Sequence, residues 1–186
     1  ENFKNLNGIA KAKSEIIENI SKNGYLILNR DDRYFNYFLK LARKRKINVL
    51  SCGNSNKSNA KLVKNTLLKD CNELHLKILN KNIYLKVKNV NSLTISNILF
   101  TFLVLHVLGL DLTKIINFSN YFQSVEGRGK TYIISRYKKK FQLIDESYNA
   151  NPSSVKNAIN NFSNIKRNHE KKFFLLGDML ELGTKS

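Results

Sequence analysis

Apolar positions recur along this chain at two spacings. In residues 8–21, Ile9, Ile16, Ile17 and Ile20 fall at helical intervals, and residues 34–44 are amphipathic with the same period. Short apolar runs at 25–28 and 47–50 read as strands, closed by Asn29-Arg30-Asp31-Asp32 and by Ser51-Cys52-Gly53. This strand–helix–strand alternation predicts a parallel sheet covered by helices, an α/β fold. Residues 73–79 and 83–88 alternate apolar and polar side chains and predict an antiparallel hairpin turning at Asn80-Lys81-Asn82. A helix over 96–108 is apolar nearly all round, so it is expected to be buried, and a further helix is expected over 111–122. After Gly127-Arg128-Gly129 the pattern restarts, with strands expected at 131–136, 141–145 and 172–176 and a helix at 152–165. The expected domains are therefore 1–126 and 127–186.

Composition narrows the class. A hydrophobic share of 42% with 10% aromatics suits a packed core, and a single proline argues against a low-complexity linker. The longest apolar stretch, 98–110, is interrupted by His106 and falls short of the roughly 18–20 residues a bilayer span needs. No membrane insertion is expected. Glu1-Asn2-Phe3-Lys4 shows neither an initiator methionine nor a signal-peptide pattern, so the chain is expected to be a piece of a longer one. Cys52 and Cys71 lack metal-ligand spacing and read as reduced thiols of a cytoplasmic protein. The net charge of +18 invites a nucleic-acid reading, but the lysines are spread along the chain and accompany a general abundance of Asn and Ile. Solvated faces account for them better, and no nucleic-acid partner is expected.

Several residues depart from their local pattern. Lys13 lies four residues after Ile9 and three and four before Ile16 and Ile17, which places it on the apolar stripe of its helix. Desolvation there would favour the neutral amine, the form that reacts with carbon dioxide; a lysine snorkelling to the helix edge is the plainer alternative. Asn97, in the first turn of the expected 96–108 helix, either meets an adenine edge with its carboxamide or satisfies neighbouring backbone. His106 reads as a core histidine. Most informative is Phe141-Gln142-Leu143-Ile144-Asp145-Glu146-Ser147-Tyr148-Asn149-Ala150-Asn151-Pro152, a strand ending in two carboxylates and a polar turn before an Asn151 N-cap and Pro152. Ligands of open α/β sheets bind beyond the carboxyl ends of the strands, where Asp145, Glu146 and Tyr148 would meet a ribose or a metal. Arg128, between glycines, suits a phosphate or carboxylate, and Gly177-Asp178 follows the last expected strand.

Together these segments resemble the Mur ligases, in particular the MurF type. The carrying motifs are Asp145-Glu146-Ser147-Tyr148-Asn149-Ala150-Asn151-Pro152 and Gly177-Asp178-Met179-Leu180-Glu181-Leu182-Gly183. Ile9-Ala10-Lys11-Ala12-Lys13-Ser14-Glu15-Ile16, Leu28-Asn29-Arg30-Asp31-Asp32 and Gly127-Arg128-Gly129 add to them. The resemblance implies part of a central parallel-sheet ATPase domain, followed by the start of a Rossmann-like carboxyl-terminal domain. It implies ATP and magnesium as cofactors, and UDP-N-acetylmuramoyl-tripeptide and D-alanyl-D-alanine as substrates. These would be joined through an acyl phosphate by a cytoplasmic monomer working in peptidoglycan synthesis. Carried over by position, Asn97 would meet the adenine and Arg128 the phosphates or ribose. Asp145 or Glu146, with Tyr148, would line the ribose. Asn149 and Asn151 would orient the dipeptide or hold the turn, and Lys13, if carbamylated, would help organise magnesium.

The departures are as informative. No GxxGK[ST] occurs, so the phosphate cradle of the family is missing from these residues. A family histidine would fall two positions before Glu1, the UDP-sugar-gripping domain is absent, and Leu93 stands where a histidine often precedes the helix asparagine by four. The piece is therefore expected to be inactive alone. Another Mur-like peptide ligase, a folylpolyglutamate synthase, and a basic nucleic-acid-binding module are the alternatives.

Overall fold

A computed structural model of the chain describes residues 5–69, 71–88, 90, 92–116, 125–163, 165 and 171–179, the side chains of Ser92 and Ile115 excepted. The chain divides into two compact units, one of Phe3–Gln123 and one that includes Ser124–Ser186. In the first, α1 (Leu6–Ser14) runs into a 3-10 turn (Glu15–Asn19), followed by β1 (Tyr25–Asn29), α2 (Phe35–Lys44) and β2 (Asn48–Cys52). Then come β3 (Ala60–Leu67), β4 (Asn72–Ile78), β5 (Lys81–Val87), α3 (Ser92–Val107) and α4 (Leu112–Ile116). The strands form one sheet in the order β1-β2-β3-β4-β5.

The sheet is mixed. β1 and β2 pair in parallel from Tyr25↔Asn48 to Asn29↔Cys52, and β2 touches β3 in parallel at Cys52↔Ala60. β3, β4 and β5 are antiparallel. The parallel expectation thus holds for the β1–β2 end, while β3 is a strand the sequence pattern did not predict. Its register shifts between Leu62 and Lys64, leaving Val63 exposed, and this irregularity erases the two-residue period by which strands are recognised. The hairpin turns tightly, with Ile78 paired to Lys81 and Leu79 in the left-handed region, one residue earlier than expected.

Two cores follow from the alternation. Leu74, Leu76 and Ile78 of β4 and Ile83, Leu85 and Val87 of β5 line one face and bury against Ile98, Leu99, Phe102 and Leu103 of α3. His75 and Tyr84, paired across the strands on the other face, stack with ring centroids 4.6 Å apart. At the parallel end, Ile27 and Leu50 join this core, whereas Leu26 and Val49 point to a second one built on Ile17, Ala42 and Ile47. α2 ends in a Schellman turn: Lys46 is left-handed and its N–H donates to Arg43 O (3.1 Å), while Ile47 N–H donates to Ala42 O (3.0 Å). That turn aims buried Ile47 back at Ala42 and starts β2.

α3 corrects one expectation. It is buried on one side only: Leu93 and Val104 are exposed, as is His106, which is therefore not a core histidine. Apolar composition all round a helix does not bury every face when only one sheet covers it. Of the helix expected over 111–122, α4 is observed and 117–122 lie outside the described residues.

The second unit contains β6 (Lys130–Arg136) and β7 (Lys139–Asp145), an antiparallel pair joined through left-handed Tyr137 and Lys138, and then α5 (Pro152–Ser163). Residues 172–176 are not a strand. No β-partner lies beside them among the described residues, and Phe173 and Leu175 are exposed. Instead Lys172 Nζ donates to the carbonyls of Phe162 (3.0 Å), Ser163 (2.9 Å) and Ile165 (2.7 Å), satisfying the end of α5.

If the α3 seat sustains the first unit, Phe102→Ala lowers its unfolding free energy by about 3–5 kcal/mol. Leu93→Ala, on the exposed side, lowers it by less than about 1 kcal/mol. Urea unfolding followed by circular dichroism reads both, and equal losses would contradict this packing.

Candidate functional site

The first candidate region lies at the carboxyl ends of β1 and β2, where a parallel pair exposes its ligand-facing edge. Local chemistry occupies most of its polar groups. Asp31 N–H donates to Asn29 Oδ1 (2.9 Å), and Tyr34 N–H donates to Asp32 Oδ1 (2.7 Å) at the start of α2. The Asp31 carboxylate accepts from the Asn54 N–H (2.9 Å to Oδ2) and from Asn54 Nδ2 (2.9 Å), so it ties the loop after β2 to the loop after β1. Gly53 makes this approach possible. Its φ is +147°, and a Cβ there would stand 2.8 Å from Asp31 Oδ1. Arg30 reaches Ser51 Oγ (3.2 Å) and covers the Phe35 ring. Cys52, buried beneath them, has its thiol pKa pushed up to about 11, mainly by burial and secondarily by the Asp31 charge. Sequence reasoning did not single out Asn54 or Ser51; Gly53 after a strand was the only signal available.

Lys13 does not lie on the buried stripe expected of it. The α-helix gives way to a 3-10 turn after Ser14, so four-residue spacings cannot be carried through to Ile16 and Ile17. Ala10, Ser14 and Ile17 are buried, Ile16 is exposed, and the Lys13 amine is exposed.

Asn97 sits in the second turn of α3, because the helix starts at Ser92 rather than 96. That placement removes the capping alternative. Its backbone carbonyl accepts from Thr101 Oγ1 (2.9 Å), and its exposed carboxamide has no hydrogen-bond partner among the described residues. A donor and an acceptor thus stand open on the side of α3 turned away from the core.

In the second unit, the Gly127–Gly129 turn is fastened to the end of β7. Gly129 N–H donates to Asp145 O (2.8 Å), and Tyr148 N–H donates to Gly127 O (3.1 Å). The Asp145 carboxylate accepts from Gly127 N–H at Oδ2 (3.1 Å) and from Ser147 N–H at Oδ1 (3.0 Å). Gly127 has φ +70°, and a Cβ there would lie 2.7 Å from Tyr148 Cβ and 3.0 Å from its backbone nitrogen. Arg128, released to the surface by this turn, places its guanidinium 4.4 Å from the centroid of the Tyr148 ring.

The two adjacent carboxylates are consequently unlike. Hydrogen bonds from Ser147 and Gly127, with a smaller contribution from the Lys130 charge, hold the Asp145 carboxyl below its usual pKa. Desolvation, and then the Asp145 charge, push Glu146 above its own. Asn151 caps α5 as expected: Ser154 N–H donates to Asn151 Oδ1 (2.9 Å) and Asn151 N–H donates to Ser154 Oγ (3.0 Å). Asn149 Oδ1 accepts from Ala150 N–H (2.8 Å). The structure therefore gathers Arg128, Asp145, Glu146 and Tyr148 around one turn, and leads from it through Asn149 to the Asn151 cap. Gly177 and Asp178 are exposed beyond α5, and residues 180–183 of their motif lie outside the described residues, as does Glu1.

A Mur ligase middle domain model matches residues 1–105. A UDP-N-acetylmuramoyl-tripeptide–D-alanyl-D-alanine ligase of Rickettsia prowazekii is 31% identical over the full chain, which spans 40% of that relative's length. Among solved structures, MurF of Acinetobacter baumannii superposes with a TM-score of 0.73 at 22% identity, covering 87% of this chain and 34% of that one. MurF of Thermotoga maritima, solved in complex with ADP, gives 0.72 at 21%, covering 88% and 36%. At these identities the two structures speak for the fold.

Carbon-detected carboxyl titration of the unmodified chain is expected to show Glu146 protonating above the usual glutamate range and Asp145 below the usual aspartate range. Asp145 thereby stabilises the turn above the ordinary aspartate pKa, and this contribution is lost as pH falls through its lowered value. Asp145→Asn should bring the Glu146 midpoint down only part of the way, since desolvation is its larger cause. A full return to the ordinary value would contradict desolvation as the larger cause of the Glu146 shift.

Proposed function

The chain belongs to the Mur ligase family, and from that premise we propose that it is the nucleotide-handling portion of an ATP-dependent ligase. The substrates proposed are UDP-N-acetylmuramoyl-tripeptide and D-alanyl-D-alanine, joined in peptidoglycan precursor synthesis. The single observation that carries this reading is the Asp145–Pro152 turn. It sets an open carboxylate and an aromatic ring at the end of a strand, with the surface guanidinium of Arg128 over that ring, in a chain 31% identical along its whole length to a ligase of that description.

In this reading residues 1–126 belong to the central ATP-binding domain and 127–186 begin the carboxyl-terminal ligase domain. The substrate carboxylate attacks the γ-phosphate of ATP, the bond to the β-phosphate oxygen breaks, ADP leaves, and the carboxylate becomes an acyl phosphate. The amine of the incoming dipeptide then adds to its carbonyl, and phosphate leaves with the bridging oxygen. Asn97 offers its unpartnered carboxamide to adenine, a donor–acceptor pair matched to N6 and a ring nitrogen. Arg128 supplies a permanent positive charge to the phosphates or the ribose region. Glu146, whose carboxylate is not engaged in the turn, accepts from ribose hydroxyls beside Tyr148. Asn149 and Asn151 flank the incoming dipeptide.

Magnesium, when bound with ATP, offsets the charge that crowds together as the carboxylate approaches. Among the described residues no group of three or more His, Cys, Asp or Glu side chains gathers to hold a metal. In this reading a carbamylated Lys13 would be an added ligand, but its amine is exposed, so the desolvation that would favour the reactive neutral form is not supplied by its helix. No helix among the described residues is long and apolar enough to cross a membrane, and both cysteines are free thiols. We place the reaction in the cytoplasm, with a monomer as the working unit. The phosphate cradle and the UDP-sugar grip are assigned to residues other than these 186, so this piece is expected to have no turnover alone.

In the complete ligase, phosphate release should require both substrates together, and Asn97→Ala should raise KM for ATP by roughly tenfold with a smaller change in kcat. Turnover with a folate and glutamate instead would overturn the substrate assignment. ATP-independent, salt-sensitive RNA binding as the sole activity would overturn the ligase reading itself.

A further inference from the structure

The two carboxylates at the end of β7 have different tasks. Asp145 spends one oxygen on Gly127 N–H and the other on Ser147 N–H, while its backbone carbonyl takes Gly129 N–H. Tyr148 N–H returns to Gly127 O, which closes a ring of bonds around the turn that carries Arg128. The first of these donors lies 18 residues from Asp145 in sequence, so the contact joins two separate segments. Gly127 admits no side chain on the Tyr148 side, and this close approach brings the Arg128 guanidinium over the Tyr148 ring. The charged groups around Asp145 are Glu146, which follows it, and Lys130, paired with it across the strands.

We propose that Asp145 is a positioning residue rather than a nucleotide ligand: it clamps the Gly127 and Ser147 amides and thereby sets Arg128 against Tyr148, leaving Glu146 as the carboxylate that contacts ligand. A carboxylate presents an acceptor to each of the two donors. An asparagine presents only one, and its amide nitrogen would face the second N–H. Replacing Asp145 by asparagine therefore opens one side of the clamp although size is kept. The consequence for the nucleotide rests on the ligase reading above; the clamp itself does not.

The test is proton–nitrogen NMR of the full chain. In the unmodified protein the Gly127 and Ser147 amide protons should shift together as Asp145 titrates, with one common midpoint. The Arg128 side-chain protons should show the upfield displacement expected over an aromatic ring. Asp145→Asn should abolish that displacement while amides at the far end of the β6–β7 hairpin stay in place, and Glu146→Gln should retain it. Independent behaviour of the two amides in the unmodified protein overturns the clamp without any substitution. Undiminished Arg128 displacement in Asp145→Asn overturns the positioning role.

In the complete ligase, Asp145→Asn combined with Arg128→Ala should raise KM for ATP no further than Arg128→Ala alone, because the first acts through the second. Multiplying effects would overturn the proposal. Failure of the ligase reading is distinguishable, because it removes ATP-dependent turnover from the unmodified enzyme and leaves the amide and ring shifts intact.

Discussion

Everything in the first unit depends on one apolar contact, the seating of α3 on the inner face of the sheet. Ile98, Leu99, Phe102 and Leu103 meet a row of alternate residues from β4 and β5, and Ile27 and Leu50 extend the same surface to the parallel strands. Burying one such side chain contributes about 1.5–3 kcal/mol, more than the roughly 0.5–1.5 kcal/mol net of a typical hydrogen bond. The helix thus fastens the parallel and antiparallel parts of the sheet to each other, whereas β2 and β3 share only one paired position. The same seating fixes which residues remain outside. With Ile98 and Leu99 turned inward, Asn97 faces away from the core and its carboxamide has no hydrogen-bond partner among the described residues.

The second unit is held differently. No residue of α5 is fully buried, and an isolated two-stranded hairpin is only marginally stable in water. Its order comes from polar turn chemistry: the Asp145 clamp, the reciprocal Asn151–Ser154 cap and the Lys172 ammonium on the Phe162 and Ser163 carbonyls at the end of α5. These interactions are directional rather than bulky. They define where a guanidinium, a ring and a carboxylate stand, which suits a binding turn more than a core.

Regular alternation made β4 and β5 legible from residues alone, and the amphipathic period did so for α2. β3 was missed because its bulge at Val63 breaks the alternation among scattered lysines. Lys13 was misplaced by assuming that one helical geometry continued past Ser14, and the start of α3 was set four residues late, which made Asn97 look like a cap. The 172–176 run has strand composition, but a strand needs a partner, and composition cannot supply one. At the candidate site, an excess of polar groups after a strand was visible in the sequence. The division of labour between Asp145 and Glu146 was not, because it depends on donors from Gly127 and Ser147 that only folding brings together.

The functional account rests on a carboxylate being activated by phosphorylation before the amide bond forms. Its most direct test uses the complete ligase and a tripeptide substrate labelled with oxygen-18 in the carboxyl group that is to be joined. The account predicts one labelled oxygen in the released phosphate and the other in the new amide. Label appearing in AMP, or phosphate released without label while product forms, would contradict it.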